Sequence, residues 1–352
     1  MQINKKFWKN KKVFITGHTG FKGSWLSAIL IHLNCKVMGY SLSPQNKSLF
    51  NQINLNKKII NNYSNVKDFN LLNKKISEFN PDILFHLAAQ PLVIESYKDP
   101  LNTFETNILG TLNVLESIKL NKSIKSAIII TTDKCYKNLN KQIRFKESDP
   151  LGGNDPYSWS KVCAEYITSE YRKIFSNNKK LGISTVRAGN VIGAGDYGKN
   201  RIITDVIESI NNDNKIILRN PKSIRPWQNV MDALFGYIIL SEKSYGNLKY
   251  NGAWNFGPNN KKLESVENIT KKLIKLSNFN KGYKILKNKQ SESSYLNLNS
   301  EKSMKKLNWK TKLSVNETLI QIIEWNNLKN KNDRFKYIKR KIDQYIKLHL
   351  KK

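Results

Sequence analysis

The chain predicts an α/β fold: a doubly wound parallel sheet with a smaller C-terminal lobe. Three observations predict it. Short apolar runs alternate with helical spacing through the first half of the chain. A glycine-rich turn joins the first apolar run to the first helical stretch. Beyond about residue 190 the alternation loosens, and Gly193, Gly195 and Gly198 mark loops. With 352 residues the chain can bury a full core and divide into two domains.

Residues 13–16 (Val-Phe-Ile-Thr) read as the first strand, and Trp25, Leu26, Ile29, Leu30 and Leu33 give the helix after it. Residues 37–40 read as a second strand. Pro81 breaks the chain ahead of the apolar run 83–87. Leu101, Phe104, Ile108, Leu112, Leu115 and Ile118 predict a helix over 101–118. A buried strand follows at 126–130, then a helix at 157–175 and a strand at 183–187. Residues 232–242 and 263–276 read as helices of the later region. Phe335, Ile338, Ile342, Tyr345, Ile346 and His349 predict a basic amphipathic helix over 333–350. It reads as a surface helix packed on the body, with a membrane-surface helix as the alternative.

Composition removes several function classes. No apolar run approaches the roughly 20 residues that span a bilayer, and residues 13–15 are too short for a signal peptide, so the expected location is cytoplasmic. Cys35, Cys135 and Cys163 form no CxxC pair, and the four histidines are scattered, so neither a disulfide framework nor a metal site is expected. The formal charge of +33 comes from lysines spread along the whole chain, loops included. That pattern fits a compositional bias rather than a nucleic-acid platform, which would interleave aromatics. Its milder consequence is attraction of anionic small substrates.

Gly17-x-x-Gly20-x-x-Gly23 sits between a strand and a helix, where glycines let backbone approach a pyrophosphate resting on the helix N-terminus. The end of the second strand, Tyr40–Ser43, carries neither the acidic residue typical for NAD nor an arginine for NADP, so this rule leaves the choice open. Tyr157 and Lys161 lie one helical turn apart. A lysine ammonium nearby, together with a positive nicotinamide ring, would stabilise the phenolate and lower its pKa, which makes a base for a sugar hydroxyl. Asp133 and Lys134 follow the carboxyl end of a buried strand, where doubly wound sheets place their chemistry. Arg187 and Arg225, in Arg-Ala-Gly-Asn and Arg-Pro-Trp-Gln, offer donors suited to a diphosphate.

Taken together, these motifs resemble the extended short-chain dehydrogenase/reductase superfamily, and within it the CDP-glucose 4,6-dehydratase family. The matching stretches are 16–26 (TGHTGFKGSWL), 85–92 (FHLAAQPL), 132–136 (TDKCY), 149–153 (DPLGG), 155–158 (DPYS), 187–193 (RAGNVIG), 225–228 (RPWQ) and 253–258 (AWNFGP). The Thr-Asp-Lys triplet discriminates most: related dTDP-glucose dehydratases carry Asp-Glu there, and 4-epimerases lack the acid/base pair. The resemblance runs from about residue 10 to about 326.

The resemblance implies a Rossmann-type fold with NAD held tightly and recycled. Residues 1–190, with 229–262, would bind NAD; 191–228 and 263–330 would form the nucleotide-sugar lobe; 331–352 would be the basic tail. It implies conversion of CDP-glucose to CDP-4-keto-6-deoxyglucose and water, in deoxysugar biosynthesis. Tyr157 would take the C4 hydroxyl proton, supported by Lys161 and Thr132. Lys134, needing a depressed pKa, would remove the C5 proton, and Asp133 would protonate the leaving C6 hydroxyl. Cofactor contacts would come from Gly17, Gly20, Phe21, Lys22 and Gly23, from Asn65 and Val66, from Leu87, Ala88 and Ala89, and from Asn107, Tyr157 and Lys161. Gln90, Asn190, Arg201, Arg219 and Arg225 would hold the substrate. No metal is implied. A homodimer, or a higher homo-oligomer, would form through the helices near 101–118 and 157–175. The chain departs from the family at Asn65, where an Asp is usual, at Trp159, where a small residue is usual, and at Thr204 and Asn229 in place of Pro and His. These departures bear on adenine contacts and base selectivity. A nucleotide-sugar 4-epimerase, a dehydratase for another nucleotide, and a non-catalytic nucleotide-sugar or nucleic-acid binder are the competing readings.

Overall fold

The computed structural model describes residues 3–139, 142–175, 177, 180–258, 263–286 and 295–350. The expectations for residues 1–2, 259–262 and 351–352 lie outside the described residues, as does the side chain of His349.

Seven parallel strands form the main sheet: β1 (Lys12–Thr16), β2 (Lys36–Ser41), β3 (Ile60–Tyr63), β4 (Ile83–His86), β5 (Ser126–Ile130), β6 (Gly182–Ala188) and β7 (Gly252–Phe256). Their order is β7-β6-β5-β4-β1-β2-β3. The order reverses between β1 and β4, which creates a crevice at the carboxyl ends of those strands. β4, β5 and β6 are buried along their whole length and are mostly apolar or small residues, with His86 and Arg187 the buried exceptions.

Helices cover both faces. α1 (Phe21–His32) is apolar nearly all round, because it is sandwiched beneath the sheet and buries eight of its residues. α2 (Phe69–Phe79) is capped by Asp68, whose side chain accepts the Leu71 N–H, and ends at Asn80 in the left-handed region. The helix predicted over 101–118 is α3, which runs without a break through Pro100–Phe104, Glu105–Leu109 and Gly110–Leu120. Its middle segment is a π-turn, which periodicity alone does not announce. α4 (Pro156–Ile174) opens with Asp155 and Ser158 capping each other reciprocally, and Pro156 stands in its first turn.

A second apolar core lies in the later region. It is built by α5 (Ile202–Asn211), α7 (Val266–Leu276) and α8 (Val315–Asn327) with Ile216, Leu218 and Trp227. Three two-stranded pairs knit this region together: 191–192 with 228–229, 224–225 with 264–265, and 216–218 with 283–285. α6 (Val230–Ser244) lies between α5 and α7 in the chain but belongs to the main core, with thirteen of its residues buried.

The last helix, α9 (Lys331–Leu350), is longer than its apolar spacing predicts. It packs on the body, but it is more than a surface element. Tyr337, Ile338, Ile342, Tyr345 and Ile346 belong to the main core. The membrane-surface alternative is thereby corrected: the apolar face that would enter lipid is already covered. Among the described residues no helix is long and apolar enough to cross a membrane.

Candidate active site

The glycine turn is shaped by sterics. Gly17 has φ +75°, and a Cβ there would stand 2.6 Å from the Ala88 nitrogen. A Cβ on Gly23 would stand 2.1 Å from the Gly17 carbonyl oxygen. Only glycine fits either place. No side chain caps the first turn of α1, whose N-cap is Gly20, so its N–H groups are left for a ligand. This is a cradle of the kind that holds a pyrophosphate, and the donor set fits a dinucleotide. Leu87, Ala88 and Ala89 line its other side, half-buried, with the Ala88 N–H donating to Thr16 Oγ1 at 3.3 Å. Thr16 also bonds His86 at 2.7 Å, and His86 reaches Thr111 at 3.1 Å. Burial and the Lys161 charge push His86 down to about 3, so it serves as a neutral spacer.

Asn107, on the π-turn, ties the loop after β4 to α4. It accepts the Gln90 N–H at 2.8 Å, donates to the Gln90 carbonyl at 3.0 Å, and donates to Ser160 Oγ at 2.8 Å. The Gln90 side chain is engaged with Thr103 and Leu92. Asn65 spends its carbonyl oxygen on the Lys67 N–H at 3.0 Å, and Val66 is buried against Gly110.

The turn after β5 carries the acid/base candidates. Thr132 caps a short 3-10 turn, Asp133–Cys135, by accepting the Lys134 N–H. Asp133 is 3% exposed, and its Oδ2 has no hydrogen-bond partner. Burial pushes its carboxyl up to about 6, against the pull of Lys134, Thr132 and Arg225. Lys134 is half-buried beside it.

Tyr157 and Lys161 both point from the first turns of α4 into the same region. Lys161 donates to the Ile130 carbonyl at 3.1 Å, and burial with the Lys22 charge pushes it down to about 7. The expected lowering of the Tyr157 phenol is not found in the chain alone. Burial pushes it up to about 12 and outweighs the opposing contact with Thr132. Phenolate formation therefore needs positive charge that the bare protein does not supply.

Lys22, in the glycine turn, is lowered to about 8 by burial and by Arg201, with Asp133 and Asp196 acting the other way. The turn, the acid/base loop and the N-terminus of α5 thus meet at one point. Arg201 is paired with Asp196 at 2.9 Å and also acts on Tyr157. Arg225 is 6% exposed and acts on Asp133. A Cβ on Gly189 would touch Pro226 at 2.5 Å and Asp133 Oδ2 at 3.0 Å, so this glycine lets the lobe close on the acid. Asn190 is half-buried, and its carbonyl accepts the Gln228 N–H. Arg219 is paired at 3.2 Å with Asp205, in the first turn of α5 after Arg201.

One donor expected for a diphosphate is corrected. Arg187 is 3% exposed, and Nε, Nη1 and Nη2 all donate within the protein, to Glu165, Tyr136 and the Glu147 carbonyl. Its β6 position turns it into the interior. Glu165, its partner, was not singled out from the sequence. The signal was there: it lies one turn after Lys161, extending Tyr-x-x-x-Lys by the same spacing. Lys22, expected as a cofactor contact, also lies within electrostatic reach of Asp133 and Lys161. Among the described residues no cluster of His, Cys, Asp and Glu could hold a metal ion.

Residues 14–322 match the family described as GDP-mannose 4,6 dehydratase. The chain is 42% identical over 331 residues to a CDP-glucose 4,6-dehydratase from Salmonella typhimurium, covering 92% of each chain. It is 24% identical to a dTDP-glucose 4,6-dehydratase from Haemophilus influenzae, over 89% of this chain and 97% of that one. Its fold superposes on the crystal structure of dTDP-glucose 4,6-dehydratase from Bacillus anthracis in complex with NAD, with a TM-score of 0.78 at 22% identity, covering 93% and 99% of the two chains. A UDP-glucose 4-epimerase from Thermotoga maritima gives 0.80 at 22% identity, with 89% and 98% covered.

Proposed function

The chain belongs to the GDP-mannose 4,6 dehydratase family, and from that premise we propose that it converts CDP-glucose to CDP-4-keto-6-deoxyglucose and water, with NAD as a recycled cofactor. One observation carries the reading: Asp133, a buried carboxyl raised to about 6 with an unpartnered oxygen, stands beside Lys134 at the carboxyl end of β5. A 4-epimerase has no use for such an acid, whereas a dehydratase needs a protonated group to release the C6 hydroxyl.

Gly17, Gly20, Phe21 and Gly23 would hold the dinucleotide pyrophosphate, with Lys22 at its edge and Leu87–Ala89 and Asn107 along its nicotinamide side. Asn65 and Val66 would flank the adenine. When bound, NAD accepts hydride from C4 of the sugar and returns it to C6. Tyr157, as phenolate, takes the C4 hydroxyl proton, with Thr132 and the Lys161 ammonium beside it. The ketone acidifies C5–H; Lys134, as the free amine, takes that proton, and the C6–O bond breaks as Asp133 gives its proton to form water. Lys134 then returns a proton to C5. The proton on Tyr157 leaves to solvent, and Asp133 regains one, which closes the balance at loss of one water. Gln90, Asn190, Arg201, Arg219 and Arg225 would orient the nucleotide sugar, the arginines meeting its diphosphate.

The domain division follows the same reading: 1–190 with 229–262 for the cofactor, 191–228 and 263–330 for the nucleotide sugar, and 331–352 as the basic helical tail. A cytoplasmic location suits three free cysteines and a nucleotide-sugar substrate. A homodimer through α3 and α4 suits the exposed Leu101, Leu109, Trp159 and Tyr166 on those helices.

The test is turnover of CDP-glucose by purified protein supplied with NAD, with dTDP-, UDP- and GDP-sugars in parallel. Preference for CDP-glucose, with a 4-keto-6-deoxy product and no net reduction of cofactor, supports the proposal. Dehydration of another nucleotide sugar moves the error to the base-binding lobe. Epimerisation alone would remove Asp133 and Lys134 from their roles.

A further inference from the structure

Two residues flank the acid/base triplet, Thr131 before it and Tyr136 after Cys135. Both end on one buried ion pair. Glu165, on α4, accepts from Arg187 Nε at 3.0 Å and Nη2 at 2.8 Å. The same carboxylate accepts Thr131 Oγ1 at 2.5 Å and Thr185 Oγ1 at 2.7 Å. Arg187 Nη1 in turn donates to the Tyr136 hydroxyl at 2.9 Å, with its guanidinium 4.9 Å from the Tyr136 ring centre. Tyr136 donates onward to Asn255 at 2.7 Å and stacks on Phe145.

We propose that the Glu165–Arg187 pair is the positioning device of the acid/base turn, gripping the chain on both sides of Thr132-Asp133-Lys134 through Thr131 and Tyr136. This rests on the dehydratase reading above.

A buried ion pair gives little net stability over well-packed apolar groups of the same volume. What it does supply is direction, through a planar two-pronged contact that allows one geometry. Here the contact spans α4, which carries Tyr157 and Lys161, and β6, next to the strand that ends at the triplet. Burial alone would push the Glu165 carboxyl up, but Arg187 and the hydroxyls of Thr131 and Thr185 hold it below the usual range, so the pair stays charged. The turn between Thr131 and Tyr136 has weak hydrogen bonds of its own. The Cys135 N–H meets the Thr132 carbonyl at 3.5 Å, and the Tyr136 N–H meets the Asp133 carbonyl at 3.4 Å. Backbone bonds from outside hold Thr131 to Val186 and Cys135 to Gly152, both at 2.9 Å, so the turn is set from its ends, and the side chains of Thr131 and Tyr136 add the link to the ion pair.

Glu165→Gln leaves a buried guanidinium without its counter-charge and is expected to unfold the chain. Thr131→Val and Tyr136→Phe instead release one end each and leave the pair intact, so they carry the test. In a quenched single turnover of CDP-glucose, both variants are expected to slow C4 oxidation only a few-fold, the part that the Thr132 contact with Tyr157 contributes. Water loss then slows by roughly ten- to a hundred-fold. The 4-keto-glucose form, absent in the wild type, accumulates, and KM stays unchanged. Amide exchange at residues 132–136 speeds up in both without a matching fall in melting temperature. Equal slowing of oxidation and water loss, or unchanged amide exchange, overturns the positioning role. If the wild type does not turn over CDP-glucose, the dehydratase reading fails instead, and amide exchange alone decides whether the pair shapes the turn.

Discussion

Tyr345, on the last helix, donates a 2.5 Å hydrogen bond to Asp232, 113 residues earlier on α6. Asp232 also accepts the Lys312 N–H at 2.7 Å, while its own carbonyl takes the Trp309 indole at 2.9 Å. α9 also meets α1 at the end away from the glycine turn, where His32 pairs with Asp343 at 2.9 Å. The helix beyond the family match is therefore fastened to the helix that opens the dinucleotide cleft.

Removal of residues 331–352 is expected to abolish soluble folded protein. Among its described residues five side chains are buried, each contributing about 1.5–3 kcal/mol. Tyr345→Phe is the finer probe, with an expected loss of roughly 0.5–1.5 kcal/mol for one hydrogen bond, since Lys312 still donates to the same oxygen. Burial pushes Asp232 up to about 7 despite its donors. Tyr345 favours the ionised carboxylate, so the loss should grow as pH rises through 7. Urea unfolding of both proteins at pH 6 and pH 8 checks this; an equal gap at both would remove the carboxylate from the account.

Asp133 should cost stability where it is ionised. Its carboxyl is raised from 3.8 to about 6 by burial. Below the unfolded value both states hold the proton. Between there and about 6 the folded chain holds a proton that the unfolded chain has lost, so stability falls as pH rises. Above about 6 the cost is complete, at about 3 kcal/mol. Asp133→Asn is expected to melt higher at pH 7.5 while losing product formation, and to melt about equally with the wild type near pH 4. A lower melting point at pH 7.5 would show that the carboxylate is held by more than the burial argument allows.

The alternation of apolar strands and helical spacing was legible because buried parallel strands leave continuous apolar runs, as in Ala127-Ile128-Ile129-Ile130. Gly17 and Gly23 were legible because close backbone approach leaves only one residue type. Arg187 misled because its partner, Glu165, is 22 residues away and on another element. A charge looks the same in sequence whether it faces a ligand or a buried carboxylate. The π-turn around Asn107 leaves helical periodicity intact, and the two-residue strands of the lobe are too short to show any. The extent of Tyr157 burial was not legible, and in the chain alone that burial raises the phenol further than the Thr132 contact lowers it.

Lys134→Met keeps the stem length and removes the amine. The variant is expected to oxidise C4 and stop there, with water loss reduced about 10²–10⁴-fold. In heavy water the wild type should place solvent deuterium at C5, because the base returns a proton that has exchanged with solvent. The variant should place none. Normal product formation would assign C5 deprotonation to another group, and Lys161, lowered to about 7, would be the first to examine.

Trp159 sits between the candidate catalytic Tyr157 and Lys161 and points the other way, 49% exposed. Tyr166, two turns on along α4, is 56% exposed, and Leu101 and Leu109 are exposed on α3. Residues 159 and 166 share a helix face. A row of this kind, on the helix that carries the candidate catalytic tyrosine on its other side, suits contact with a second copy of the chain. Trp159→Glu is expected to convert a dimer to monomer in sedimentation. Because α4 carries Tyr157 and Lys161 on its inner face, kcat should fall with it, while Tyr166→Lys gives the same shift in mass with a smaller loss of rate. A wild-type chain that sediments as a monomer at micromolar concentration would leave the exposed tryptophan without this role.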